Sequence, residues 1–311
     1  MTTDFAALIA AGKPVRIDGG LATQCEAMGH NIDGELWSAQ LLQSNPRAIV
    51  DATRAYLDVG ARIVATASYQ ASRQGLVATG LTERESDALI RSSVELARQA
   101  CNEFIAANPE ADEPLVAASV GPYGAILHDG SEYTGAYAIS DEDLRSFHAE
   151  RLRVLDNSAA DLLACETIPS GQEASILADL LLETRLPAWV SFSCRDEKHL
   201  ADGTAVAEVA AEFADHPNVL VLGVNCVAPE LVVALIAELR RAAPGKGIVV
   251  YPNSGEVYRS TDNSWHGTST PLQCERAAAE WIEAGATFIG GCCRIGPEQI
   301  AAMSLSVTKT R

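Results

Sequence analysis

At 311 residues and 32.9 kDa, the chain has room for two ordinary domains or for one large α/β barrel, which needs about 250 residues. With 48% apolar and 21% charged residues, 23 Gly and 13 Pro, it is neither disordered, collagen-like nor a coiled coil. A formal charge of −18, from 23 Lys and Arg against 41 Asp and Glu, repels phosphate backbones and anionic lipid, so neither nucleic acid nor a membrane is an expected partner.

Short runs rich in Val, Ile and Ala recur along the chain, each followed by a helix-length segment, as in βαβ units. In chain order they are 14–20, 61–69, 114–122, 161–168, 187–194, 219–226, 247–253 and 286–293. Between the second and third, Ile90, Val94, Ala97, Cys101, Phe104 and Ile105 fall on one helical stripe. Thr82 and Glu85 form a capping box ahead of that stripe, Ser140 and Asp143 give a similar start signal before the fourth run, and Pro297 marks the first turn of a last helix. No low-complexity linker divides the chain, so one domain over 1–311 is the economical reading. Eight nearly continuous apolar strands alternating with helices predict a single (β/α)8 TIM-type barrel rather than an open sheet.

Chemistry in such a barrel sits at the carboxyl ends of the strands. There the runs deliver Asp18-Gly19-Gly20, Thr66-Ala67-Ser68-Tyr69, Cys165-Glu166-Thr167, Asn225-Cys226, Tyr251-Pro252-Asn253 and Gly290-Gly291-Cys292-Cys293. No stretch of 18 or more apolar residues lacks a charge or proline, and Asp4 stands where a signal peptide would carry cations, so a cytoplasmic location is expected. That compartment keeps thiols reduced, so the eight cysteines are not a disulfide framework. The six histidines show no HxxxH or HxH spacing, so a metal site would depend on sulfur.

Cys226, Cys292 and Cys293 stand at the ends of strands six and eight, two strands apart on one rim. Three thiolates suit zinc and leave a fourth tetrahedral position open. Gly290 and Gly291 are expected to let the chain bend so that both neighbouring cysteines turn inward. Zinc, a vicinal disulfide and plain packing of small apolar side chains all stay open on the residues alone. Cys25, Cys101, Cys165, Cys194 and Cys274 read as structural. An all-thiolate zinc is too electron-rich to be a strong Lewis acid, but it would hold a substrate thiol deprotonated and nucleophilic, which points to alkyl transfer onto sulfur.

The segments IDGGLATQCE, VATASYQAS, SVGPYGAILHDGSEYTG, CETIPS, GVNC, YPNSGEVY and GGCCRIGPE resemble those of the zinc-dependent homocysteine S-methyltransferase family, over most of the chain. GVNC together with GGCC at this separation is the specific part. The resemblance implies a (β/α)8 barrel in which Cys226, Cys292 and Cys293 bind Zn2+ and the homocysteine thiol takes the open position. It implies that Asp18 and Glu166 bind the amino-acid part of homocysteine, against the alternatives of a turn residue and a helix-terminal charge. Thr66 and Ser68 match a hydroxyl-bearing strand end, with Ala67 where many members carry asparagine. Asn225 either contacts the substrate carboxylate or ties down its loop.

Members of the family use betaine, S-methylmethionine or S-adenosylmethionine as methyl donor. The betaine branch has a tyrosine after the strand-four glutamate, where this chain has Thr167, and a C-terminal dimerisation extension that this chain lacks. The resemblance therefore implies a sulfonium donor, S-methylmethionine first, methionine as product, and a monomer or small homo-oligomer. The long, Gly-rich segment 119–135 is expected to cover the donor. The competing readings are a barrel zinc hydrolase or lyase, which would need His and carboxylate ligands, and a non-catalytic thiol- or zinc-binding protein, which would have no use for acidic groups on the rim.

Overall fold

The computed structural model describes residues 4–32, 40–127, 129–255, 257–259, 264–266 and 270–305. Its sheet contains eight parallel strands: β1 (Val15–Arg16), β2 (Ile63–Ala65), β3 (Leu115–Val120), β4 (Leu162–Ile168), β5 (Ala188–Phe192), β6 (Val219–Asn225), β7 (Gly247–Tyr251) and β8 (Phe288–Ile289). Each pairs with its chain neighbours, β8 pairs with β1, and a bridge between Ile17 and Ile63 joins β1 to β2. The result is the closed (β/α)8 barrel that the repeat predicted. All eight expected runs become strands, and most are shorter than the runs because the polar residues at their carboxyl ends leave the ladder to form the rim.

The helices between strands start where the sequence marks them. Thr82 and Glu85 complete the capping box of helix Glu83–Ala107, Ser140 caps helix Asp141–Asp156, and Pro297 opens helix Pro297–Ala302. Along Glu83–Ala107, Ile90, Val94, Ala97 and Cys101 are buried against the sheet, while Phe104 and Ile105 are half-buried. A two-stranded antiparallel ribbon, Val257–Arg259 with Ser264–His266, stands between β7 and helix Pro271–Ala284. Among the described residues, no helix is long and apolar enough to cross a membrane.

The strand period of two sorts side chains between the barrel interior and the helices. Val116, Ala118, Leu163, Cys165, Val190, Leu222, Val224 and Val250 belong to the outer core under the helices. Their alternates Leu115, Ala117, Leu162, Ala164, Trp189, Val221 and Val249 form a separate inner cluster with Val15, Ile17, Ile63 and Phe288. Phe5, from the short helix Phe5–Ala10, joins that cluster, its ring centroid 5.3 Å from Phe288 and 6.2 Å from Trp189. Continuing the same alternation toward the carboxyl ends, by one step on β3, β4, β5 and β7 and by two on β6, brings Ser119, Glu166, Ser191, Tyr251 and Asn225 into one polar layer. Gly223 lies just below it, where a Cβ would collide with the Val249 carbonyl. Only glycine lets β6 and β7 approach so closely beneath the site.

Candidate active site

The end of β7 sits between β6 and β8 in the sheet order and ties the cysteine-bearing ends of both. Cys226 N–H donates to the Tyr251 carbonyl at 3.3 Å, Cys292 N–H to the Pro252 carbonyl at 2.8 Å, and Cys293 N–H to Asn253 Oδ1 at 3.2 Å. Three sulfurs converge in consequence: Cys226, Cys292 and Cys293 Sγ all lie within 4.8 Å of one another. Cys226 and Cys292 form a disulfide with a Cα–Cα distance of 5.6 Å. The bridge is thus not the vicinal one weighed from the sequence. Around a tetrahedral zinc, sulfurs at about 2.3 Å from the ion would be roughly 3.8 Å apart. The donor set therefore fits such an ion once the Cys226–Cys292 pair is reduced.

Neither Gly290 nor Gly291 adopts a positive φ; a Cβ on Gly290 would collide with the Asp18 carbonyl, and one on Gly291 with the Ile295 side chain. They permit close packing of β8 on its surroundings, and the two cysteines that follow both turn into the same sulfur cluster. Among the described residues, the non-glycine ones with positive φ are Cys226 (φ 51°), Arg294 (φ 65°) and Thr167 (φ 61°). Non-glycine residues are rare in that region, and a β-branched one is a genuine outlier, so each must be held by its neighbours.

Asn225 holds Thr167. Its Oδ1 accepts from Thr167 N–H at 2.7 Å and from Ser191 Oγ at 2.8 Å, and its Nδ2 donates to Thr167 Oγ1 at 2.7 Å. Of the two roles left open for Asn225, the structure displays the tie between strand ends. The clasp fixes the backbone beside Glu166, whose carboxylate accepts from Ser119 Oγ and is hydrogen-bonded to Tyr251. Tyr251 is itself fixed by Trp189 Nε1 at 3.1 Å and Ser191 Oγ at 2.6 Å.

Asp18, at the end of β1, accepts from Ala65 N–H at 2.7 Å through Oδ2. Burial pushes its carboxyl up to about 7, and the charge of Glu166 adds to the rise. Burial likewise raises Glu166 above the usual carboxylate range, against the hydrogen bonds from Ser119 and Tyr251. Among the described residues, neither carboxyl forms an ion pair. Two buried carboxylates close enough to interact, with no cationic side chain between them, make a pocket that favours a positive ligand.

Thr66 and Ser68 are buried, and their hydroxyls are 2.6 Å apart. Ser119 N–H donates to Thr66 Oγ1 at 3.0 Å and Ser68 Oγ donates to the Ser119 carbonyl at 2.7 Å. Both hydroxyls thus secure the end of β2 to β3, and through Ser119 the Glu166 carboxylate. Ala67, between them, is buried as well.

The sequence places Tyr251 and Asn253 at the end of the seventh run and Ser119 at the start of the SVGPYG segment but assigns them no role; register brings them beside Glu166 and Cys293. Glu173 and Arg151 have no counterpart in the sequence reading. Glu173, wholly buried, pins the 119–135 segment and its continuation: it accepts from Tyr123 N–H at 2.7 Å, lies 2.6 Å from His148 Nε2 and is hydrogen-bonded to the Tyr137 hydroxyl. Arg151, also buried, donates to the carbonyls of Tyr69 and Gly121 and clamps the ends of β2 and β3. His128 of the covering segment, Glu256 of the YPNSGEVY motif and the chain ends of the expected 1–311 domain lie outside the described residues. The cysteines read as structural behave so: Cys25, Cys101, Cys165 and Cys274 are buried, and burial pushes the Cys25 thiol up to about 11 and those of Cys101 and Cys165 to about 12. Cys194 is half-buried.

Fold and rim together define a (β/α)8 barrel with a three-sulfur centre beside an acidic pocket. The model of the homocysteine S-methyltransferase family matches residues 15–307, and the chain belongs to that family. It is 46% identical to the homocysteine S-methyltransferase of Escherichia coli strain K12 over 291 residues, covering 92% of this chain and 93% of that protein. The metallated form of the Escherichia coli homocysteine methyltransferase MmuM superposes with a TM-score of 0.86 at 44% identity, over 96% of this chain and 97% of that one. An oxidized form of the same enzyme gives 0.85 at 45% identity, over 93% and 94%.

Proposed function

We propose that this protein transfers a methyl group from a sulfonium donor, S-methylmethionine first and S-adenosylmethionine second, to the thiol of homocysteine, yielding methionine. The observation that carries the reading is the convergence of Cys226, Cys292 and Cys293 within 4.8 Å of one another on the rim that also carries Asp18 and Glu166. The metal that these sulfurs suit best is Zn2+. Cys226, Cys292 and Cys293 would hold it, and it would lower the pKa of a substrate thiol so that the sulfur reacts as a thiolate.

The chain's own residues supply the rest. Asp18 and Glu166 face the α-ammonium of homocysteine and set which end of the amino acid points toward the sulfurs. Thr66 and Ser68, through Ser119, hold Glu166 in place, and Asn225 holds the strained Thr167 next to it. The 119–135 segment, fastened by Glu173, covers the donor and limits water at the reacting atoms. In the transfer, a bond forms between homocysteine sulfur and the methyl carbon while the carbon–sulfonium bond breaks, its electron pair staying on the donor sulfur. The donor leaves as a neutral thioether, and the thiol proton passes to solvent. In-line displacement makes positioning the main contribution of the protein. The reaction fits a reducing cytoplasm, where the Cys226–Cys292 pair would be open.

The test is turnover of homocysteine with S-methylmethionine, S-adenosylmethionine and betaine in turn, with and without added zinc. Methionine formation that depends on a sulfonium donor and on zinc is the expected result. Turnover with betaine alone, or full turnover of zinc-stripped protein, would overturn the reading.

A further inference from the structure

Another buried carboxylate stands apart from the Asp18–Glu166 pair. Glu132 lies in the short 3-10 turn Ser131–Tyr133 of the covering segment and is 8% exposed. Its backbone is fixed: Ser193 Oγ donates to its carbonyl at 3.2 Å, and its amide nitrogen packs so closely on Gly124 that a Cβ there would meet it at 2.5 Å. Its carboxylate is hydrogen-bonded to its own backbone N–H, yet Oε2 is buried with no hydrogen-bond partner among the described residues.

Leaving a carboxylate oxygen dry and unpaired is costly, so a group of opposite charge is missing from its surroundings. Glu132 acts electrostatically on Tyr69, Tyr133 and the thiol of Cys293, whereas Asp18 responds to Glu166 and neither of those two responds to Glu132. Tyr133, next to Glu132 in sequence, is hydrogen-bonded to Cys293, which sets this turn beside the sulfur centre. Gln70 donates to the Ala125 carbonyl at 3.1 Å, and its Oε1 is buried with no partner among the described residues. Thus Glu132, on a turn next to the sulfur centre, and Gln70, after β2, each hold an unfilled acceptor, and the former is a carboxylate.

We propose that Glu132 recognises the positive charge of the methyl donor, separately from the carboxylates that hold homocysteine. This rests on the proposed function, in which the donor is a sulfonium. Because the donor sulfur loses its charge as the methyl leaves, the Glu132 attraction is greatest in the bound donor and fades toward product. Glu132 therefore favours donor binding and departure of the neutral thioether rather than acceleration of the transfer step.

The test compares zinc-loaded wild type, E132Q and E132D by calorimetric titration with S-methylmethionine, with methionine as its uncharged-sulfur counterpart and with homocysteine, followed by turnover. In E132Q the dissociation constant for S-methylmethionine should rise about 30-fold or more, as for the loss of one partner of a buried charge pair. Affinity for homocysteine and for methionine should stay within about twofold, kcat at saturating donor within about threefold, and E132D should recover part of the loss. Unchanged S-methylmethionine affinity in an E132Q protein whose wild type turns that donor over would overturn this proposal alone. Equal weakening of all three ligands would also overturn it, since it would mean a collapsed cover. A wild type that neither binds nor uses S-methylmethionine would overturn the donor assignment, and this proposal with it.

Discussion

Asp18→Asn should make the protein more stable and a poorer binder of homocysteine, and both effects should switch on with pH. Burial raises the Asp18 carboxyl from 3.8 to about 7, so ionising it costs the folded protein more than the unfolded chain. Below pH 3.8 the group is protonated in both states and carries no penalty. As pH rises toward 7 the unfolded chain ionises first, and above about 7 both states are ionised and the folded state bears the full cost. A pKa difference of roughly 3 corresponds to about 4 kcal/mol, an upper bound because water entry and relaxation reduce it. The substituted amide would have no charge to desolvate, and its carbonyl could still accept from Ala65 N–H. Chemical denaturation of both proteins between about pH 4.5 and 8.5 should show a stability difference that grows with pH and flattens above about 7, since titrations common to both cancel. Homocysteine affinity of the wild type should rise through the same range as the carboxylate forms, whereas the variant should bind at least about 10-fold more weakly above about pH 7, having lost one of two anionic partners. Parallel stability curves for the two proteins would rule this out, because the buried charge would then not be the source of the shift.

Substitutions elsewhere on the rim and beneath it should act as follows. Cys226→Ala should bind less zinc by elemental analysis and lose at least about a thousandfold in kcat/KM, roughly 4 kcal/mol; a variant with full activity would remove the sulfur centre from the mechanism. Asn225→Ala deletes the clasp on Thr167 and should cost about 2–4 kcal/mol in denaturant unfolding while raising the KM for homocysteine, since buried hydrogen bonds are lost and a strained residue is released; an unchanged KM would show that Glu166 keeps its place unaided. Gly223→Ala drives a Cβ into the Val249 carbonyl and should destabilise the barrel by about 3 kcal/mol or more, read as a lower melting temperature; a variant that melts like wild type would mean that β6 and β7 can separate freely.

The barrel was legible because each strand is buried on both faces and reads as a continuous apolar run, which survives without any tertiary information. The strand ends were harder to bound. Thr66 to Tyr69 and Gly290 to Cys293 look like strand by composition but leave the ladder to hydrogen-bond across the rim, a choice made by neighbouring strands. The three sulfurs could be read because, once a barrel is assumed, cysteines gathered at two alternate strand ends exceed what packing alone calls for. The roles of Ser119 and Tyr251 could not: the sequence puts Tyr251 at a strand end, but the hydrogen bonds of both side chains to Glu166 follow from register. Glu173 and Arg151 lie further still from any motif, on helices whose buried faces are set only when the covering segment folds over them. The close approach of Gly290 to Asp18 and of Gly291 to Ile295 was not legible for a related reason: it is a contact between segments distant in the chain.

Whether a single zinc is held by Cys226, Cys292 and Cys293 with one position left for the substrate thiol can be decided by zinc K-edge X-ray absorption of the reduced, zinc-loaded protein with and without homocysteine. Such a centre requires one zinc per chain with three sulfur neighbours at about 2.3 Å and one lighter ligand, becoming four sulfurs when homocysteine is added. A shell with fewer than three sulfurs, or one that homocysteine leaves unchanged in a protein that turns it over, would contradict it.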